Sequence, residues 1–477
     1  MIFSSLVFLC IFLPTVFLLY TVLPWLRVRN GLLIAASLVF YAYGEPIYVL
    51  LMLFSAVLNY VCALLVSGGS LARRRTFLVL AVIINLGILC AFKYTGFLVS
   101  SFNGVFQTQI PVPEIALPVG ISFFTFQALS YVIDVYQKKV DVQKNFFRVL
   151  LYISFFPQLI AGPIVKYRDI NEQIGSRKQD FRMIAEGLRR FVFGLAKKVL
   201  IANTMGQAAD IIFGAETGGL NILAAWIGAI AYLFQIYFDF SGYSDMAIGL
   251  GKMFGFRFKE NFEHPYGSAS MQDFWRRWHI SLSTWFKEYL YIPLGGNRKG
   301  KARTAFNRIV VFFCTGLWHG ANWTFVLWGL YHGLFLLLEE YIPIIKKIPR
   351  WIAHLYTLLV VCVGFVLFRA DNVWQGFMMI GQMFGGFRFT GEGLSLAVQQ
   401  LTPWFLAMLA VAVFVAAPIR PIRNKLLSLR NRSGEGALSG KWIAAEVVLY
   451  ALAFVLLAWC ILRLSGSTYN PFIYFRF

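Results

Sequence analysis

Long runs without charged side chains dominate this sequence. The longest covers thirty residues, 309 to 338, which contain no Asp, Glu, Lys or Arg. A helix of about 20 apolar residues crosses the ~30 Å hydrocarbon core of a bilayer, and comparable runs recur at 1–26, 47–72, 115–133, 217–238 and 393–419. The runs do not alternate polar with apolar residues, so the sequence predicts membrane-spanning helices rather than a barrel.

The composition supports the same class of protein. Hydrophobic residues make up 59% of the 477 and charged residues only 14%, which excludes an ordinary soluble domain. We predict an all-α, polytopic integral membrane protein that forms one domain over 1–477. The first apolar run lacks a basic n-region and a small-residue cleavage site, so we expect it to be a retained span. The six cysteines lie singly in apolar runs, and no metal-ligand spacing is present.

The net charge of +21 does not indicate nucleic-acid binding, because the basic residues are spread over short loops. By the positive-inside rule these loops are cytosolic, and both termini then lie outside. Contact with anionic lipid headgroups accounts for most of them, and attraction of a phosphorylated substrate is a second possibility. The loops are at 27–29, 73–75, 137–138, 196–198, 298–303, 346–350 and 420–441.

Two stretches depart from simple spans. Prolines and a glycine interrupt the apolar run "FFPQLIAGP" at 155–163, a pattern that fits a re-entrant piece buried in protein. The stretch 270–296 places Trp275, Trp278, Leu282 and Trp285 at helical spacing among charged residues. We expect it to be an amphipathic helix that lies at the cytosolic interface.

Intramembrane histidines are the candidate reactive groups. His319 follows Arg308 by eleven residues, which places it about 16 Å into the membrane, near the midplane. A neutral imidazole at that depth can accept a proton, but a helix–helix hydrogen bond is an equally good explanation. His279 follows a basic pair and could face the same cavity. We expect His332 to be a hydrogen-bonded core residue.

Two carboxylates, Asp239 and Asp245, lie at the end of the apolar run 217–238. They could orient a histidine. We consider it more plausible that they pair with Arg276 or Arg277 and clamp two segments together.

The sequence resembles the membrane-bound O-acyltransferases. The stretches that carry the resemblance are "FWRRWHISLSTWFKEYLYIPLGGNR" and, forty positions on between their histidines, "GLWHGANWTFVLWGLYHG". The bacterial alginate O-acetylation branch is the most similar, and the teichoic acid D-alanine transfer protein is a relative. The resemblance implies roughly eleven transmembrane helices around a central funnel, with re-entrant and interfacial helices and a core at about 115–370. It also implies that His319 is the catalytic histidine and His279 its partner. We expect substrate contacts from Arg276, Arg277, Trp278, Trp318, Asp239 and Asp245.

The implied function is acyl transfer across the bacterial inner membrane. A cytosolic thioester, expected to be acetyl-CoA, would supply the acyl group as a substrate, with no permanently bound cofactor. A separate extracytoplasmic acetyltransferase would pass the group to an exopolysaccharide, and a polysaccharide synthase and export complex is a further candidate partner. In this scheme His319 removes a hydroxyl proton, and His279 orients the donor or stabilises the oxyanion. D-alanyl or other acyl transfer, a transporter and a structural subunit remain alternatives.

The aromatic C-terminus "STYNPFIYFRF" suggests two hypotheses. The first is an aromatic belt at the outer membrane interface. The second rests on a resemblance, because a small partner protein of the D-alanylation relatives ends in a similar Phe-Ile-Tyr motif whose tyrosine is thought to accept the acyl group. Here Phe472, Ile473 and Tyr474 match that motif. A tail folded back into the funnel would bring the Tyr474 hydroxyl to His319 and make it an acyl relay.

Overall fold

The computed structural model describes residues 1–342, 347–418 and 440–476, and over these ranges the chain forms helices, turns and loops without strands. The basic segment 420–441 therefore lies almost wholly outside the described residues. The α-helices are α1 Leu13–Val22, α2 Leu26–Ala42, α3 Tyr48–Ser67, α4 Leu71–Lys93, α5 Thr95–Phe106, α6 Ile121–Tyr136, α7 Phe146–Ser154, α8 Phe156–Leu159, α9 Tyr167–Ser176, α10 Phe181–Ala196, α11 Asn203–Gly214, α12 Ile222–Met253, α13 Met271–Arg277, α14 Ile280–Phe286, α15 Lys301–His319, α16 Trp323–Tyr341, α17 Arg350–Arg369, α18 Val373–Gly385, α19 Gly391–Gln400, α20 Pro403–Ala416 and α21 Gly440–Gly466.

Several of these helices suit a bilayer. Within the described residues, α3, α4, α12, α17 and α21 are long and apolar enough to cross a membrane. The pair α19 and α20, bent by 63°, makes a sixth crossing if it is one broken span. The predicted all-α class is therefore confirmed for the described residues.

Helix α12 is the centre of the bundle. Its 32 residues extend about 48 Å, and nearly all of them between Ala224 and Met253 are buried. It packs against α10, α11, α17 and α18. A helix that is apolar on every side is stable only when other helices surround it, so its two carboxylates, Asp239 and Asp245, must find partners inside the protein.

The long charge-free run 309–338 is not one span, as the sequence alone suggested, but most of a helical hairpin. The α15 arm ends at His319 and the α16 arm begins at Trp323. Asn322 caps α16 by accepting a hydrogen bond from Thr324 N–H. A Cβ at Gly316 or Gly329 would overlap a carbonyl oxygen of the facing arm, so these glycines permit the close approach. His319 consequently lies at the hairpin tip.

The predictions for the stretches 155–163 and 270–296 differ in how well they match the structure. Residues 155–163 are buried around the single turn of α8, as expected for a piece enclosed by protein. The stretch 270–296 is not a continuous interfacial helix, because it breaks at Trp278 and His279 between α13 and α14. Its tryptophans are buried rather than interfacial. The periodicity identified the apolar face correctly but gave no signal for the break.

Candidate active site

His319 lies in the wall of a partly open cavity. Its ring meets the rings of Trp318, Trp328 and Phe368 edge-on, with centroids about 5 Å apart, and it is 4% exposed. The cavity has a volume of about 380 Å³, and its lining includes Trp318, His319 and Tyr474. Because α15 begins at the basic 298–303 loop and is about 27 Å long, the positive-inside rule would put this cavity on the outer side of the midplane, beyond the depth expected from the sequence.

His279 occupies the break between α13 and α14 in the left-handed region, with φ 44° and ψ 54°. Such a conformation is uncommon for a residue other than glycine, and it clusters at functional sites. The break is held by hydrogen bonds from Ile280 N–H to Asn261 O at 2.9 Å and from Ser281 Oγ to Asn261 Oδ1 at 2.8 Å. Trp318 lies between the two histidines, with its ring centroid 5.9 Å from His279 and 5.0 Å from His319.

The C-terminal tail folds back into the bundle and reaches this site. Tyr474 stacks on Phe240 with centroids 4.3 Å apart and 8° between the planes. Its hydroxyl lies 3.4 Å from Nε2 of His279. Phe472 and Ile473 are buried, so this part of the tail is not an interfacial aromatic belt. Of the two hypotheses for the tail, the structure therefore supports the fold-back, with a hydroxyl contact to His279.

A buried ion pair anchors the tail. Lys198 Nζ lies 2.7 Å from an oxygen of Asp239, and the two side chains are 3% and 2% exposed. The second Asp239 oxygen accepts a hydrogen bond from Ile473 N–H at 2.9 Å, and Lys198 also donates to Pro471 O. The pair therefore fixes the backbone directly beside Tyr474.

Comparisons with known proteins assign the chain to a family. The model of the membrane-bound O-acyltransferase family matches residues 139–350. The chain is 40% identical to a probable alginate O-acetylase of Pseudomonas putida over the full length of both. The chain belongs to the membrane-bound O-acyltransferase family. It is also 38% identical to a peptidoglycan O-acetyltransferase of Helicobacter pylori over 81% of this chain and 80% of that one. A teichoic acid D-alanyltransferase of Bacillus subtilis is 28% identical over 58% of this chain and 78% of that one.

In this membrane-bound O-acyltransferase the two aspartates do not pair with Arg276 or Arg277, contrary to the sequence interpretation. Asp239 anchors the tail, and Asp245 binds Arg190 and Lys197 at 2.8 and 2.6 Å. Arg276 and Arg277 each lie 3.0 Å from Asp273. Local sequence could not reveal these pairs, because the partners of Asp245 lie about fifty residues away along the chain.

The other predicted residues of this region, two tryptophans and His332, have different outcomes. Trp318 lines the cavity as expected, whereas Trp278 is buried in an aromatic core with Tyr266, Phe274 and Phe365. The prediction of a hydrogen-bonded His332 is wrong, since neither ring nitrogen of this buried histidine has a hydrogen-bond partner among the described residues. Its ring neighbours are Phe274, Trp275, Trp328 and Tyr331.

Lys93 is a residue of the site that sequence reasoning missed. Its Nζ donates to the carbonyl oxygens of Trp318 at 2.6 Å and His319 at 3.2 Å, and it lines the cavity. These carbonyls end α15 and have no partner within the helix, so the lysine fixes the backbone that carries His319. A lysine at the outer end of a span runs against the positive-inside rule, which is the signal that could have identified it.

Proposed function

We propose that the protein acetylates an extracellular polysaccharide with an acetyl group taken from cytosolic acetyl-CoA. In this proposal about eleven crossings of the bacterial inner membrane surround a single acyltransferase domain with its core at about 115–370. An extracytoplasmic acetyltransferase receives the group outside, in association with the polysaccharide synthase and export complex. The names of two relatives, an alginate O-acetylase matched over its full length and a peptidoglycan O-acetyltransferase matched over 80% of its length, support a polysaccharide as the acceptor.

The observation that carries the proposal is the placement of Tyr474 beside His279 and in the lining of the cavity that contains His319. Its hydroxyl lies 3.4 Å from His279 Nε2, and its ring lines the same cavity as His319. On the other side of the break, a cleft of about 90 Å³ is lined by Ile280 and Ser281, which follow His279 directly, and by basic residues. An acyl group could thus pass from the cleft to Tyr474 and on to the outer cavity.

The geometry favours the following first step. The thioester reaches the cleft side, and Nε2 of His279 accepts the proton of the Tyr474 hydroxyl. The phenolic oxygen attacks the thioester carbonyl carbon, the C–S bond breaks, and the proton passes to the departing thiolate. The products are acetyl-tyrosine and coenzyme A, and His279 returns to its neutral state. Burial disfavours a free phenolate, so proton removal must accompany the attack.

The second step belongs to the outer cavity. A hydroxyl of the extracytoplasmic partner attacks the acetyl carbon, and His319 accepts its proton. The ester bond to Tyr474 breaks and the phenol recovers a proton from His319. Lys93 maintains the position of the His319 backbone throughout. This division of roles differs from the one inferred from the sequence, where His319 acted first, because the hydroxyl contact found is with His279.

Purified protein in sealed proteoliposomes provides the test. With ¹⁴C-acetyl-CoA on the cytosolic side and the partner with polysaccharide on the other, we expect label in the polysaccharide. Without the partner, the label should remain bound to the protein. D-alanyl thioester is the matched donor control, and preferential transfer of D-alanine would replace this proposal with a D-alanylation function. Absence of transfer from either donor would contradict acyl transfer from a soluble thioester.

The cytosolic cleft gives a prediction about donor binding. Burial would raise the pKa of Glu288 in this cleft, but hydrogen bonds from Lys166 and Arg168 outweigh it and hold the pKa below its usual range. Glu288 is therefore charged and forms ion pairs with Lys166 and Arg168. The cleft's other lysine, Lys259, pairs with Asp169. Arg257 is exposed and has no ion pair among the described residues, so it is the cation best suited to a donor phosphate. We expect Arg257→Glu to raise the apparent KM for acetyl-CoA about tenfold, the effect of one charge-assisted hydrogen bond, with little change in kcat.

Arg276→Glu is the matched comparison for this charge reversal. Arg276 is 73% exposed and pairs with Asp273, and the sequence interpretation placed it, Arg277 and the 298–303 loop at the donor mouth. Initial rates over a range of acetyl-CoA concentrations separate the two sites. An unchanged KM in Arg257→Glu together with a raised KM in Arg276→Glu would move the phosphate site to α13.

A further inference from the structure

A second cavity lies beside Tyr469, where the C-terminal tail begins, and away from His279 and His319. Its volume is about 510 Å³, it is open on one side, and it is lined by α11, the α19–α20 connection and Tyr469. It shares no lining residue with the cavity beside His319. The first residue of α12, Ile222, donates a hydrogen bond to Gly386 O, so α12 begins next to the end of α18, far from the basic residues that face its cytosolic half. Gly393 of α19 packs against Gly219 at the same end of the bundle, and by the positive-inside rule this end of α12 is the outer one.

The lining has the chemistry that recognises neutral sugars. Amide groups of Gln207, Gln399 and Gln400 converge with threonine hydroxyls and the indole of Trp404. Amides both donate and accept hydrogen bonds, as sugar hydroxyls do, and an indole provides an apolar surface for the C–H face of a sugar ring. None of the described lining residues is a lysine or arginine, so the cavity is poorly suited to a phosphate or a polyanion.

The site is preformed, and some of its polar groups are available. Trp404 Nε1 donates to Thr204 Oγ1 at 3.0 Å, and its ring packs against Trp459 with centroids 5.6 Å apart. The amide N–H groups of Gln399 and Gln400 bond to their own helix, which leaves both amide oxygens as acceptors. Gln207 is exposed, and its amide makes no hydrogen bond with other described residues. Preformed cavities with a few convergent polar groups are the usual ligand sites.

Asp210, the one carboxylate among the described lining residues, connects the cavity to the tail. Tyr469 OH donates to Asp210 Oδ2 at 2.6 Å, and Arg369 Nη2 lies 2.6 Å from the other Asp210 oxygen. Arg369 balances the carboxylate charge, and the guanidinium of Arg463 lies over the Trp404 ring, 5.0 Å from its centroid, without lining the cavity. Tyr469 precedes Tyr474 by five residues, a span of at most about 18 Å. A ligand held here would lie near the tail segment that carries the proposed acyl relay.

We propose that this cavity binds neutral, hydroxyl-rich sugar residues and holds the polysaccharide beside the tail, within reach of the extracytoplasmic partner that passes the acetyl group to it. The role as acceptor site rests on the proposed acetyl transfer, but the binding itself does not. The sugar has two possible sources, a polysaccharide chain or the headgroup of a glycolipid in the outer leaflet. Both present the same hydroxyl groups, so the experiment separates them.

The test measures binding rather than turnover. Protein in nanodiscs free of glycoside detergent is titrated with cellohexaose, with a hexamer of mannuronic acid, or with an alkyl glucoside placed in the disc, and tryptophan fluorescence reports binding. We expect cellohexaose to bind, the anionic hexamer to bind at least tenfold more weakly, and Gln207→Ala to raise the Kd for cellohexaose about tenfold. Gln272→Ala, an exposed glutamine of the cytosolic half, should bind like the unmodified chain.

Further binding measurements decide between the possible outcomes. Binding of cellohexaose by His319→Ala with unchanged affinity would support the site even if acetyl transfer fails, so the two proposals fail separately. Binding of the alkyl glucoside alone would assign the site to a glycolipid headgroup. If no sugar binds, or if Gln207→Ala binds like the unmodified chain, the proposal is overturned. Protection of Gln207→Cys from labelling by the extracytoplasmic partner alone would then indicate a protein-docking surface.

Discussion

His319→Ala is expected to abolish polysaccharide acetylation and to leave acetyl groups trapped on the tail. Without the imidazole at the hairpin tip, the partner hydroxyl loses the base that accepts its proton, a loss of about 10² to 10⁴ in rate. The first step uses His279 instead, so acetyl-Tyr474 should accumulate. Label in the polysaccharide measures the first effect, and mass spectrometry of the C-terminal peptide measures the second.

His332→Ala is the matched control for this variant. It removes another buried histidine of the same hairpin, and both rings contact Trp328 with centroids 5.1 Å apart. The cavity lining does not include His332, so His332→Ala should retain transfer if it folds. Size-exclusion profiles and Tm values must match between the two variants. Near-normal transfer by a folded His319→Ala protein would contradict any chemical role for His319.

His279 should respond differently, because it acts before the acetyl group reaches the tail. His279→Asn keeps a residue that tolerates the left-handed backbone but removes the imidazole beside Tyr474. We expect it to lose transfer without accumulating acetyl-Tyr474. If instead His279→Asn accumulates the adduct and His319→Ala does not, the two histidines have the opposite roles, and the order inferred from the sequence is restored.

The sequence could predict features that depend on composition and local pattern. Charge-free runs identified helices such as α3, α4 and α17, because burying charge in a bilayer is costly over any window of about 20 residues. The same reasoning identified His319 and His279 as unusual. It failed within 309–338, where the run is apolar throughout but Gly320 and Asn322 reverse the chain. Hydropathy indicates whether a segment lies in an apolar environment, but it does not indicate where the chain turns.

Contacts between distant segments were beyond sequence reasoning. Lys198 lies 41 residues from Asp239 along the chain, and Lys93 lies 226 residues from His319. Each basic side chain had several possible partners, and only the fold selects one. Asp239 was therefore expected to bind substrate or clamp arginines, whereas it anchors the tail. The break at His279 was missed for a related reason, since Asn261, outside the helix, holds it open.

Tyr474→Phe is the second change with a large expected effect, and it removes a single oxygen atom. The ring stack on Phe240 does not involve the hydroxyl, so the tail should remain in place. We expect polysaccharide acetylation to fall as far as in His279→Asn, because the attacking nucleophile is gone. No acetyl mass should appear on the C-terminal peptide, even when Tyr474→Phe is combined with His319→Ala. Tyr450→Phe, on α21 against Arg189, removes a phenol far from the site and should transfer normally.

Asp239→Asn separates the chemistry of Tyr474 from its position. Breaking a buried ion pair costs about 3–5 kcal/mol, and this one holds the Ile473 backbone, so the tail should loosen while its phenol remains. We expect Asp239→Asn to lose transfer and to become sensitive to carboxypeptidase from the outer side, whereas Tyr474→Phe should lose transfer and stay protected. If Tyr474→Phe transfers acetyl at the unmodified rate, the phenol is not an acyl carrier. The tail would then act only as a plug that packs against Phe240, and the attacking hydroxyl would have to come directly from the extracytoplasmic partner.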